Sequence, residues 1–119
     1  MIAIELKDVH FHGYHGLYEG EEIIGGPFVV NLVVKYEEHG TDLSDINETV
    51  DYVDLFNIVK QRMQMPAPLL EKLCDSIIRH IKHQYAFITE ATLSIYKVDA
   101  PIPQFQGMVG VSMTKNFKD

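Results

Sequence analysis

Along the first strand-like stretch, Ile2, Ile4 and Leu6 alternate with other residues, and the apolar parity then changes to Val9 and Phe11. Alternation with period two marks a half-buried strand, and a parity change inside one predicts a bulge near Lys7-Asp8. A second clean alternation follows at Phe28, Val30, Leu32, Val34 and Tyr36. Between the two, Gly13, Gly16, Gly20, Gly25 and Gly26-Pro27 predict an irregular connection, long enough for a compact domain to give it a function. The spacing then changes to that of a helix. Asp51 is placed as an N-cap with Asp54 at the third helical position, and Leu55, Phe56, Val59 and Met63 share one face. Pro66 and Pro68 interrupt this helix and pre-set the first turn of another, in which Leu70, Leu73, Cys74, Ile77 and Ile81 recur at helical spacing. Ala91, Leu93 and Ile95 predict a third strand, and Val109, Val111 and Met113 a fourth, with Pro101, Pro103 and Gly107 in the loop between them.

Two strands, two helices and two strands predict an α+β domain with the helices on one face of an antiparallel sheet. Its outermost strands would be open edges, and their pairing with copies of the same chain is the expectation. The 119 residues show no linker, repeat or low-complexity segment and are read as a single domain, 1–119. A hydrophobic share of 46% with 23% charged residues is that of an ordinary globular protein. No apolar run approaches the roughly 20 residues that span a bilayer, and residues 1–5 do not form a secretory signal. A cytoplasmic location is therefore expected. The formal charge of −7 and the scattered lysines argue against nucleic acid or anionic membranes as partners.

The candidate chemistry is spread along the chain. Cys74 is the single cysteine and falls on an apolar helix stripe, where a thiol behaves as a small hydrophobe rather than a nucleophile. His10 and His12 project from one face of the first strand and His15 follows, a spacing that zinc sites use and that a half-exposed polar face also produces. Glu19, Glu21 and Glu22 form an acidic stretch in the long connection. Glu71 opens the second helix, where an acid complements the macrodipole. Lys97 continues the Ala91, Leu93, Ile95 face by period two. It is either an ammonium partly desolvated for acid–base work or a lysine that snorkels to solvent. Tyr52 follows the first helix cap, a place usual for a packing tyrosine with a wet hydroxyl.

Taken together these residues fall into a known order. Phe11-His12-Gly13-Tyr14-His15-Gly16 resembles the first-strand signature of dihydroneopterin aldolases, and Glu21, four residues before Gly25, has that family's glutamate spacing. Thr49-Val50-Asp51-Tyr52 resembles the segment that ends in the family's active-site tyrosine, and Leu69-Leu70-Glu71 its pterin-binding leucine-leucine-glutamate. Lys97-Val98-Asp99-Ala100-Pro101-Ile102-Pro103 resembles the catalytic lysine and its proline loop. Pro68 and the stretch Gln104-Phe105-Gln106 depart from the pattern, and they bear on substrate fit rather than on catalysis.

The resemblance implies a tunnelling fold, ββααββ, in which four subunits close their sheets into one barrel and two such rings stack as an octamer. It implies active sites between subunits, with Tyr52 approaching Glu71 and Lys97 from another chain. It also implies retro-aldol cleavage of 7,8-dihydroneopterin in folate biosynthesis, with no metal and no cofactor. Lys97, Glu21 and Tyr52 would be catalytic, and Glu71, Leu70, Val50 and Tyr52 would bind the pterin. Three other readings compete: an epimerase acting on dihydroneopterin or its triphosphate, a zinc-dependent tetrahydropterin synthase using His10, His12 and His15, and a non-catalytic pterin- or purine-binding ring.

Overall fold

The computed structural model describes residues 1–14, 25–38, 49–100 and 102–117. Its elements come in the expected order: β1 (Ile2–Gly13), β2 (Gly26–Tyr36), α1 (Tyr52–Met63), α2 (Leu70–Gln84), β3 (Glu90–Lys97) and β4 (Val109–Asn116). The four strands form one sheet in the order β1-β2-β3-β4, antiparallel at every junction.

The parity change in β1 is a bulge. Leu6 pairs with Leu32 and Val9 with Val30, so Lys7 and Asp8 together oppose Asn31. Asp8 takes a left-handed conformation, φ 53°, which asparagine and aspartate tolerate better than most residues. Its N–H, lost from the ladder, donates instead to Asn31 Oδ1 at 2.9 Å. The extra residue returns Val9 and Phe11 to the face that Ile2, Ile4 and Leu6 occupy.

Strand β2 begins two residues earlier than the alternation indicates, because Gly26 pairs with Gly13 and Pro27 with His12. Proline is tolerated at the first positions of a strand, and the Pro27 carbonyl accepts from Val98 N–H at 3.1 Å. Gly25, at φ +72°, has no room for a side chain: a Cβ there would stand 2.5 Å from the Gly13 carbonyl oxygen.

One face of the sheet carries the core. Phe28, Val30, Leu32, Val34 and Tyr36 of β2 and Ala91, Leu93 and Ile95 of β3 are buried against both helices. From α1 come Leu55, Ile58, Val59 and Met63; from α2 come Leu70, Leu73, Cys74, Ile77, Ile78 and Ile81. Phe56 is only half-buried and stacks on Phe11 of β1, with centroids 5.7 Å apart. The opposite face is polar where β3 meets β4: Thr92 bonds Thr114 at 2.9 Å and Ser94 bonds Ser112 at 3.1 Å.

The helices run antiparallel. Asp54 in the first turn of α1 meets Tyr85 just past the end of α2, and Arg62 near the end of α1 borders a groove with Asp75 and Ser76. The C-terminal half of α2 lies over the start of β3 and the end of β4. There Lys82 Nζ donates to the Ala86 and Ile88 carbonyls and lies over the Phe117 ring, while nearer the middle of the helix Asp75 pairs with Lys115. The N-terminus of α2 therefore points toward the Lys97 end of the sheet.

Cys74 is fully buried, and burial together with the Glu71 charge pushes its thiol up from 9.0 to about 11. Both effects oppose thiolate formation, so this cysteine is a core residue and not a nucleophile. In the unfolded chain the thiol ionises near its ordinary value, while in the folded chain it stays protonated up to about 11. The stability it contributes is complete below pH 9 and is lost as the pH rises toward 11. Urea unfolding at pH 8 and pH 10.5 should show an alkaline loss smaller by on the order of 1–2 kcal/mol in Cys74→Ala than in the parent chain.

Candidate active site

Asp51 caps α1 as expected, with backbone angles of −84° and 114° and its carboxylate accepting from Val53 N–H at 2.9 Å. The reciprocal half of a capping box would bring the Asp54 carboxylate back to the Asp51 N–H. A different partner takes both groups. The Tyr85 hydroxyl donates to Asp54 Oδ2 at 2.7 Å and accepts from Asp51 N–H at 3.4 Å. Val50 and Tyr52 sit on this turn. Val50 is 5% exposed and belongs to the core, whereas Tyr52, the first residue of α1, is 65% exposed and projects away from it.

The start of α2 is built differently. Its N-cap is Leu69, in an extended conformation of φ −118° and ψ 122°, with no side-chain cap. The prolines precede this helix rather than occupying its first turn, since Pro68 comes before the cap. Leu70 is the first helical residue, 8% exposed, and Glu71 stands beside it in solvent. An uncapped helix start presents backbone N–H groups and the positive end of the dipole to whatever lies in front of it.

Lys97 is the last residue of β3 and is half-buried. It is paired with Phe28 on one side and Val109 on the other, so ladders on both flanks fix its backbone. Beyond it Gly110 is held tightly: a Cβ there would lie 2.1 Å from the Ile95 carbonyl oxygen.

The candidate residues thus fall into two groups. Leu70 and Glu71 face the end of the sheet where Lys97 sits. Val50 and Tyr52 lie at the other end of the helix pair, beside Tyr85. Fourteen residues of helix at 1.5 Å per residue separate Glu71 from Tyr85, roughly 20 Å. One chain does not bring Tyr52 to Glu71. Glu21, assigned with Lys97 to proton transfer, lies outside the described residues, as does His15 of the zinc alternative. His10 and His12 are exposed, and His12 packs edge-on to Tyr14 at 5.1 Å. Among the described residues no three His, Cys, Asp or Glu side chains gather as a metal site.

Tyr85 and Asp54 were not among the residues the sequence singled out for the site. Asp54 reads as helix-start chemistry, and Tyr85 as the residue after a helix. Their meeting across 31 positions has no signature in spacing.

The strand order, the helix pair on one face and the polar opposite face define a tunnelling-fold α+β domain. The family model described as FolB, dihydroneopterin aldolase, matches residues 4–114, and the chain belongs to that family. It is 32% identical over 114 residues to a dihydroneopterin aldolase of Staphylococcus epidermidis, covering 94% of each chain. With one from Bacillus subtilis it shares 25% over 117 residues, or 97% of this chain and 98% of the relative. Among solved structures, the dihydroneopterin aldolase of E. coli in complex with neopterin superposes with a TM-score of 0.83. That pair is 14% identical, and the match covers 98% of this chain and all of the other.

Proposed function

We propose that this chain is a dihydroneopterin aldolase that cleaves 7,8-dihydroneopterin into 6-hydroxymethyl-7,8-dihydropterin and glycolaldehyde. The observation that carries the reading is the family match over residues 4–114, on a chain whose α2 opens with Leu70-Glu71 and whose β3 ends in Lys97.

Glu71 offers two carboxylate oxygens to the amino group and adjacent N–H of the pterin ring, a charge-assisted bidentate contact. Backbone groups at Leu70 and at the partner subunit's Val50 complete the ring's contacts. Lys97, acting with Glu21, takes the proton from the side-chain hydroxyl whose carbon becomes the aldehyde. The carbon–carbon bond next to it breaks, and its electron pair moves into the ring's carbon–nitrogen double bond as that nitrogen gains a proton. Glycolaldehyde leaves and an enamine remains. Tyr52 helps deliver the proton that converts it to the hydroxymethyl product. The ring itself serves as the electron sink, so these roles call for neither Schiff base nor metal. Activity is expected to survive exhaustive chelation. Glycolaldehyde release from dihydroneopterin by the chelated protein is the test, and complete loss restored by zinc would overturn this mechanism.

The length of α2, roughly 20 Å from Glu71 to Tyr85, puts Tyr52's turn and Glu71 at opposite ends of one chain's helix pair and supports a site shared between subunits. The sheet's outer strands, β1 and β4, are unpaired on their outer sides among the described residues. Pairing β1 of one copy with β4 of the next closes a ring and removes both edges. The Thr92–Thr114 and Ser94–Ser112 face would then line the barrel. We read the assembly as tetrameric rings stacked into an octamer, working in the cytoplasm. No helix among the described residues is long and apolar enough to cross a membrane.

A further inference from the structure

We propose that Tyr85 is a positioning residue for Tyr52, and that it serves the active site of the neighbouring subunit rather than the one its own helix begins. The proposal rests on the shared-site reading above.

Within its own chain Tyr52 is not held by packing, since its ring is largely exposed there. Its backbone is held from behind. Asp51 and Asp54 flank it on either side, and the single hydroxyl of Tyr85 engages both, through the Asp51 N–H and the Asp54 carboxylate. The Asp51 carboxylate is meanwhile committed to Val53 N–H. The turn from Val50 to Asp54 therefore has its direction set by one hydroxyl contributed from another helix.

That hydroxyl is itself fixed. Tyr85 ends α2, its N–H donating to the Ile81 carbonyl at 2.8 Å. Its ring meets Phe87 edge-on at 6.0 Å, and Phe87 meets Tyr36 edge-on at 5.4 Å. Tyr36 is 3% exposed and belongs to the core. Edge-on ring contacts thus run from the core residue Tyr36 through the exposed Phe87 to Tyr85 and the turn that carries Tyr52. Burial and the hydrogen bond to Asp54 push the Tyr85 hydroxyl up from 10.0 to about 12, so it stays a donor throughout the neutral range. Without this hydroxyl, Asp54 is released to swing back to the Asp51 N–H in an ordinary capping box. The start of α1, and Tyr52 with it, is then free to reorient.

The consequence reaches beyond one site. Helix α2 carries Glu71 at its first turn and Tyr85 at its end. In the assembled ring it is a strut that binds pterin in one site and aims the tyrosine of the next.

The test uses hybrid assemblies. In a mixture of Tyr52→Phe and Lys97→Ala subunits, each complete site takes Lys97 from the first chain and Tyr52 from the second. Adding Tyr85→Phe to the Lys97→Ala chain, which supplies Tyr52, should lower the regained single-turnover rate by up to about a hundredfold, the scale on which a misplacement of about 1 Å acts. Adding it to the Tyr52→Phe chain should leave that rate unchanged. In the homomeric Tyr85→Phe enzyme, turnover should fall by more than affinity for the hydroxymethyl pterin does, because Glu71 and Leu70 still hold the ring while the displaced Tyr52 acts as protons move. Asp54→Asn, which keeps an acceptor for the hydroxyl, should retain activity that Asp54→Ala loses.

Equal loss from either placement would show a general structural role and overturn the proposal. So would loss from neither. If the parent mixture regains nothing although subunit exchange is confirmed, the shared site and the action in trans fall together. A normal rate in homomeric Tyr85→Phe would separately overturn the positioning role.

Discussion

Replacing Lys97 with alanine is expected to lower the rate of dihydroneopterin cleavage by about a hundred- to ten-thousand-fold, the range for a positioned acid–base group. Affinity for the product-like hydroxymethyl pterin should change little, because Lys97 is assigned to the moving protons and not to the ring. The fold should tolerate the change. The residue ends β3, and its place there is fixed by backbone pairing on both sides, which alanine preserves. The buried part of that strand face, Ala91, Leu93 and Ile95, is left intact. Lys97→Arg separates charge from proton transfer. A guanidinium keeps the positive charge but does not give up its proton in the working range, so arginine should fail to restore turnover. Single-turnover rates with pterin titrations on both variants decide the matter. Near wild-type cleavage by Lys97→Ala would show that the proton relay lies elsewhere.

The strands and helices were readable from the sequence because each buries one face, and burial leaves a period. The β1 parity change gave the bulge, but nothing in the period showed that Asn31 would collect the stray N–H of Asp8. Periodicity also underestimates what a helix buries when it packs on both a sheet and another helix. Ile58 and Ile78 are core residues that a single-stripe reading leaves out. The prolines at 66 and 68 shape the approach to α2 and not its first turn, because the helix waits for Leu69 as its cap.

The site was less readable for a different reason. Glu71 opens α2 and Lys97 closes β3, element ends that the periodicity already locates, and their types already suit pterin chemistry. In the proposed shared site Tyr52 gains its meaning only from a second chain, and a pattern along one chain holds no trace of which end of the helix pair a neighbour will complete. Tyr85 is hidden more deeply still. It works through two groups of α1, and its role shows only once helix directions are known.

Removing Glu71 should cost affinity before it costs chemistry. A carboxylate bridging two N–H donors of the ring contributes in the ground and transition states alike. Its loss is expected to weaken hydroxymethyl pterin binding by about 2 kcal/mol or more, roughly thirtyfold in the dissociation constant. The folded state should feel little of this, because Glu71 is exposed and its favourable position at the start of α2 is worth only about 0.3–1 kcal/mol. One local effect gives an independent check that the side chain has been removed from a folded protein. The Glu71 charge is part of what raises the Cys74 thiol, so Glu71→Ala should move that thiol slightly back toward its ordinary value. Glu71→Gln sharpens the comparison. It preserves the shape of the side chain but turns one acceptor into a donor facing the ring's own donors, so it should bind no better than alanine. Normal pterin affinity in either variant would remove Glu71 from the binding role, even with the family and the reaction unchanged.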